Sequence, residues 1–298
     1  MRVLHIDTGL DMRGGQWQAL HLLQGLAERG VAGRLLAPQH SDLFQAATAL
    51  GLEVRPLSEP TVALAASGFD LVHAHDARAH TLAVFSPKPL IVSRRVAFPV
   101  KRSAASRFKY RRASHYLAVS EFVKKELLSA GVLASKITVV HDGVRVPDRV
   151  RGDARPLVMA LNSDDPGKGK AIVAKAAGLA SVPIHFSSHL LEDLPQAGLF
   201  VYITDNEGLG SAALLAMGYG APVIASRVGG LPEIVHHGET GLLTDNAPEA
   251  VAGSMKRLLN DRPLALRLAT RARSMVEQGF TIAHMVQNTI RVYERILS

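Results

Sequence analysis

A chain of 298 residues, 47% hydrophobic and 5% aromatic, is long enough for two ordinary domains with aliphatic cores. It has no cysteine, which excludes a disulfide framework, a thiolate zinc site and a cysteine nucleophile, and fits a reducing cytoplasm. The net charge of +8 is uneven: between Ala77 and Ser120 there is no acid, yet Arg78, Lys88, Arg94, Arg95 and six more cations from Lys101 to Arg112 crowd together, so an anionic partner is expected.

In chain order, VLHID (3–7) reads as a first strand and not as a signal peptide. Gly14 and Gly15 turn the chain, and Gln18 to Arg29 follows as a helix with apolar Leu20, Leu22, Leu23 and Leu26. GRLLAP, LEVRPL, DLVHAHD, PLIVSRR and YLAVS read as further strands, with DLFQAATALG helical between the first two. Ser120 is placed to cap a helix running to Ala130, and KITVVHDGV (136–144) closes this half. The polar, proline-bearing stretch 144–156 is the linker candidate. A second alternation runs through PLVMALN, VPIHF, GLFVYIT and PVIAS, and 282–297 is a charged amphipathic helix. Strands alternating with helices predict doubly wound parallel sheets, with ligands at the carboxyl ends of the strands. No segment reaches the ~20 apolar residues of a spanning helix, so a soluble or peripheral protein is expected.

The densest signal is EGLGSAALLAMGYGAPVIASRVGGLPEIVHHGETGLL, from Glu207 to Leu243. It sets a carboxylate and two close glycines directly before an apolar helix. Amides at a helix start are unsatisfied donors at the positive end of a dipole and suit a diphosphate. A carboxylate beside them can accept hydrogen bonds from sugar hydroxyls. Elsewhere, His73, His75 and His80 recur along one segment, but no carboxylate cluster joins them beyond Asp76, so strand-end or cleft-side roles are expected and not a metal site.

This run resembles the nucleotide-sugar site of the retaining family 4 glycosyltransferases, enzymes of the GT-B fold. RGGQWQ (13–18), AVSEFVKKELLSAGVLASKITVVHDGV (118–144), PGKGK (166–170) and GETGLLTDN (238–246) carry the resemblance over nearly the whole length. It implies two Rossmann-like doubly wound domains facing a cleft, the C-terminal one abbreviated. Residues 1–145 would form the acceptor-side domain and 146–281 the nucleotide-sugar domain, with 282–298 a helix crossing back to the first. It further implies Glu207 as the carboxylate on the donor sugar and Lys168 as the partner of the diphosphate. Gly14 and Gly15, Gly208, Leu209, Gly210 and Ser211 would line the donor.

The departures from the family pattern are also local. Leu215 stands where the family has a second glutamate, which holds the nucleotide ribose. No arginine precedes Lys168 within ALNSDDPGK, and either Arg94 or Arg95, within SRR, replaces a histidine near the end of the fifth strand. With His75 these arginines are assigned to the acceptor side of the cleft. The resemblance implies retaining, metal-independent hexosyl transfer with no cofactor, from a nucleotide-sugar donor to a glycan or lipid-linked acceptor. The basic segment 101–112 points to an anionic membrane surface on the cytoplasmic face, and nucleic acid is not expected, since no reader motif or stacking platform is present. The alternative is a degenerate GT-B protein that binds a glycan or partner without turnover.

Overall fold

The computed structural model describes residues 1–58, 62–100, 103–148 and 157–298. Lys101, Arg102 and residues 149–156 of the expected linker therefore lie outside the described residues. The chain divides into two compact units, Met1–Gly143 together with Ile282–Ser298, and Val144–Thr281.

In the first unit, seven parallel strands form one sheet: β1 (Arg2–Ile6), β2 (Ala32–Ala37), β3 (Val54–Pro56), β4 (Leu71–Ala74), β5 (Leu90–Arg94), β6 (His115–Ala118) and β7 (Ile137–Val139). Helices α1 (Gly14–Ala27), α2 (Asp42–Ala49), α3 (Val62–Ala65), α4 (Ala77–Leu82), α5 (Ala104–Arg112) and α6 (Glu121–Ser129) connect them. The strand order is β3-β2-β1-β4-β5-β6-β7. Its central strands are covered on both faces, which is why VLHI and LVHA read as unbroken buried runs instead of alternating. The order reverses between β1 and β4, which pair Val3 with Leu71 and His5 with His73. Side-chain oxygens of Ser41, Asp76, Ser103 and Ser120 cap α2, α4, α5 and α6, satisfying amides that the helices cannot.

One local expectation changes. Gly14 and Gly15 do not form a turn but open α1, because extended Arg13 takes the capping place and its carbonyl accepts from Trp17 N–H. The first helical turn needs few intrahelical amide bonds, so glycine is tolerated there and weak helix propensity does not delay the start.

The second unit has five parallel strands, β8 (Leu157–Leu161), β9 (His185–Ser187), β10 (Ala197–Tyr202), β11 (Val223–Ser226) and β12 (Leu242–Thr244), in the order β12-β11-β10-β8-β9. Helices α7 (Lys170–Ala180), α8 (Leu190–Asp193), α9 (Ser211–Gly218), α10 (Leu231–Ile234), α11 (Pro248–Asn260) and α12 (Arg262–Gly279) surround it. Val158, Val201, Ile224, Leu242, Val251 and Met255 meet in its aliphatic core, each such side chain contributing roughly 1.5–3 kcal/mol of burial. Numbered from the first strand of this unit, the order is the flavodoxin-like one, with its switch point between β8 and β10.

Helix α13 (Ile282–Leu297) belongs to the first unit. Its buried positions Met285, Val286, Thr289, Ile290 and Tyr293 follow the helical period and form the stripe laid against α1 and the sheet. Tyr293 is fully buried, and its hydroxyl lies 2.6 Å from His73 Nδ1, tying this last helix to β4.

Candidate functional site

In the second unit the two loops that leave the carboxyl ends of β8 and β10 meet at the switch point. The first, after Leu161, holds Lys168 at the end of a single 3-10 turn whose cap is Asp165, the carboxylate accepting from Gly167 N–H at 2.9 Å. The second, after Tyr202, holds Glu207. The loops are stitched at one carbonyl: Asp205 N–H donates to Gly167 O at 2.9 Å, and the Thr204 side-chain Oγ1 donates to the same oxygen at 3.1 Å. Ser226 and Asn246, from β11 and the loop after β12, brace Thr204 from the other side.

This bracing brings the expected pair together. Lys168 Nζ lies 2.9 Å from Glu207 Oε2, with the two side chains 31% and 16% exposed, so the pair is reachable from solvent. The other carboxylate oxygen accepts from Gly208 N–H at 3.1 Å. Tyr202 adds a contact that the sequence reading missed: its hydroxyl donates to Glu207 Oε2 at 2.5 Å, and Lys168 Nζ sits 5.9 Å above its ring centroid. Burial, and then the Glu207 charge, push the Tyr202 phenol well above its ordinary range, so it is held as a donor.

Gly208, Leu209 and Gly210 continue from Glu207 into the start of α9. Gly210 has φ of 105°, a left-handed conformation that glycine takes without strain, and a Cβ there would meet Leu231 Cδ2 at 2.5 Å. Leu209 is buried, and Ser211 is the first residue of α9. Leu215 lies one turn further on, on the same face as Ser211. It is half-buried, while its neighbours Leu214 and Met217 are fully buried. The position thus stands at the edge of the helix core and not within it.

In the first unit, Gly14 and Gly15 open α1 with no atom within 4 Å of where a Cβ would stand on either. Of the two arginines at the end of β5, Arg94, its last residue, is buried and donates to the Tyr110 hydroxyl and the Phe98 carbonyl, a packing role. Arg95 instead pairs through Nε with Asp142 Oδ1 at 3.0 Å, and its charge adds to the lowering of His73 and His75. His75 packs at the end of β4, its Nε2 3.0 Å from His5 Nδ1.

The histidine grouping differs from the one read along the chain. His5, His73 and His75 come together, with ring nitrogens within 4.8 Å of one another, because β1 and β4 pair in register. His80 leaves the group and bonds Lys109 O, packed edge-on to Tyr110 and Tyr116. His73 is bonded on both nitrogens, to the Tyr293 hydroxyl and to Ser93 Oγ at 2.8 Å, and no carboxylate belongs to the set. Burial lowers His5 to about 3 and holds His73 and His75 well below their usual range, so all three are neutral. Nothing in the spacing of His5 marked it as a member; only strand pairing brings it in.

The basic segment is likewise sorted by the fold. Helix α5 has no buried residue, and Arg107, Arg111 and Arg112 are exposed beside the tilted Phe85–Phe108 ring pair. Lys109 turns inward, donating to Ala77 O at 2.7 Å and Thr81 Oγ1 at 2.8 Å.

Residues 178–275 match the family described as Glycosyl transferases group 1, and residues 12–146 match Glycosyltransferase Family 4. The chain is 33% identical over 110 residues to an N-acetyl-alpha-D-glucosaminyl L-malate synthase of Bacillus anthracis, covering 37% of this chain and 29% of that protein. It is 48% identical over 64 residues to a D-inositol 3-phosphate glycosyltransferase of Corynebacterium glutamicum, covering 21% of this chain and 15% of that protein. The matches thus span less than a third of these relatives' lengths. A crystal structure of Anabaena HepE in complex with UDP and glucose shares the fold with a TM-score of 0.87 at 16% identity, covering 99% of this chain and 100% of that one.

Proposed function

We propose that this chain, a family 4-like glycosyltransferase of the GT-B fold, moves a sugar from a nucleotide-diphosphate donor to a glycan or lipid-linked acceptor, with retention of configuration and without a metal. The observation that carries the reading is the Lys168–Glu207 pair at the β8/β10 switch point, one short turn before the N-terminus of α9. The donor diphosphate draws the Lys168 ammonium and the α9 amides, which supply the positive charge that a metal would otherwise bring. Glu207, released from Lys168, accepts hydrogen bonds from the sugar hydroxyls. The bond from the anomeric carbon to the diphosphate oxygen then breaks, and the acceptor hydroxyl bonds to that carbon on the same face. Its proton passes to the departing phosphate. The protein's contribution is position and relief of leaving-group charge. The crystallised Anabaena relative holds UDP and glucose, which makes a uridine donor the first to try.

Among the described residues no helix is long and apolar enough to cross a membrane. The exposed cations of α5, beside the exposed Phe85–Phe108 pair, support an acceptor presented at an anionic membrane surface on the cytoplasmic side. Leu215 keeps a second reading in play: half-buried and without an acceptor for ribose hydroxyls, it fits a protein that binds a glycan but no longer turns over.

The test is donor turnover across UDP-, GDP- and ADP-glucose, by wild type and Glu207→Ala, with and without EDTA. Donor-dependent turnover that survives EDTA, is lost in Glu207→Ala and releases sugar with the donor's anomeric configuration supports the transferase. Nucleotide-sugar binding without turnover selects the degenerate reading. Turnover that chelation abolishes and magnesium or manganese restores refutes the amide-and-lysine account.

A further inference from the structure

We propose that Tyr202 is a positioning residue for Glu207, its hydroxyl keeping the carboxylate aimed at the donor sugar once the diphosphate has drawn Lys168 away. This rests on the donor-site reading above. Glu207 Oε2 takes two donors, Lys168 Nζ at 2.9 Å and the Tyr202 hydroxyl at 2.5 Å, while Oε1 takes the Gly208 amide at 3.1 Å. Those contacts are unequal in what they fix. Lys168 is the group that the diphosphate attracts, so its hold on Glu207 ends when donor binds. The Gly208 amide belongs to the next residue and moves with the loop. Tyr202 alone of the three is anchored in the sheet: it is the last residue of β10, 5% exposed, with its ring stacked on Phe200 at 6.2 Å.

The chemistry of the contact suits that task. A phenol can only donate to a carboxylate, and a buried phenol beside a carboxylate keeps its proton, so the bond persists over the whole working pH range. A carboxylate accepts at about four lone-pair positions; with Lys168 withdrawn, a position opens on Oε2 for a sugar hydroxyl while the Tyr202 bond holds the side-chain rotamer. Without that bond Glu207 would have to be ordered by the sugar itself, at a cost in donor affinity. Losing it should not touch the nucleotide, which meets Lys168 and α9.

Tyr202→Phe removes only the hydroxyl, and calorimetric titration reads its effect. The probes are UDP-glucose against UDP, repeated with GDP- and ADP-glucose and their diphosphates, alongside thermal unfolding. The affinity for the nucleotide sugar that wild type binds should fall roughly ten- to a hundredfold, the value of one hydrogen bond to a charged group. The matching diphosphate should bind as before. In a Glu207→Ala background the same substitution should have no further effect, since its partner is gone. Equal losses for sugar nucleotide and diphosphate, or an additive loss in the double variant, would make Tyr202 a packing residue and overturn the proposal. If Glu207→Ala weakens the sugar nucleotide selectively and Tyr202→Phe does not, the proposal fails while the donor site stands. If wild type binds none of the three sugar nucleotides, the donor site itself is wrong and the proposal falls with it.

Discussion

Replacing Gly230 with alanine should disable transfer far beyond its effect on stability. Gly230 sits at φ −84° and ψ −4°, a right-handed conformation that alanine adopts freely, so backbone strain does not enter. The obstacle is contact. A Cβ on Gly230 would lie 2.1 Å from the Gly208 carbonyl oxygen and 3.1 Å from Leu209 Cα, backbone atoms that no rotamer change can move. The Gly230 amide also donates to the Glu207 carbonyl at 3.0 Å, so the paired-glycine turn is the wall against which the donor loop rests. Restoring ordinary contact pushes that loop back by roughly 1 Å, and a misplacement of this size costs on the order of a hundredfold in rate. Overpacking costs about 1–3 kcal/mol of stability, which leaves most molecules folded in a protein of ordinary stability. The assay is the initial rate of transfer per folded molecule, with thermal unfolding measured on the same preparation. Gly253→Ala is the control: it lies in α11 with open space around its Cβ, so it should gain about 0.8–1 kcal/mol of helix propensity and keep its activity. Gly230→Ala turning over at the wild-type rate per folded molecule would refute the reasoning.

Other perturbations test other links. Leu215→Glu, at the half-buried edge of α9, should tighten nucleotide binding by ~1.5–3 kcal/mol and favour ribo- over deoxyribonucleotides in titration calorimetry; tight, ribose-selective binding by wild type would contradict this. His5 and His80 fall from 6.5 unfolded to about 3 folded, and His73 and His75 are lowered too. The unfolded chain therefore binds protons first, and stability, complete above pH 6.5, declines as the pH drops from there, by up to about 1.4 kcal/mol per unit for each histidine. A urea midpoint that stays flat from about pH 7.5 to 5 would refute their buried, neutral state. Reversing the charges of Arg107, Arg111 and Arg112 should release the protein from phosphatidylglycerol vesicles, at about 1 kcal/mol per cation, screened by salt. Retained binding by this variant, or none by wild type, would leave α5 a solvated face.

What was legible in the sequence was local. Glu207, the two glycines after it and the apolar helix lie within one short run, and residue types at fixed spacing announce a helix start beside a carboxylate. Lys168 was legible for the same reason, from its proline-glycine turn. The fold class followed from alternating strands and helices, which periodicity reports well. Charge, by contrast, was readable only as a count. The acid-free segment could not reveal that Arg94 is buried on Tyr110 or that Lys109 turns inward to α4, because both depend on which helix packs beside which.

The residues that escaped are those defined by strand order. His5 joins His73 and His75 only because β1 lies next to β4, although 68 residues separate it from His73 along the chain. Tyr202 reads as one more apolar member of GLFVYIT, and its hydroxyl acquires meaning only at the carboxyl end of a strand, where the chain turns and the next loop folds back. Even the Lys168–Glu207 pair, recognisable residue by residue, spans 39 positions and exists as a pair only because β10 inserts beside β8 rather than beside β9. Parallel pairing aligns carboxyl ends, so every loop that follows a strand emerges on one side of its sheet, and reversal of the strand order parts two neighbouring loops to leave room for a ligand. The chemistry of the site is thus written in short runs, while its geometry comes from the sheet. For that reason a change at Gly230, which touches no ligand in this account, should be as damaging to transfer as many changes at the residues that do.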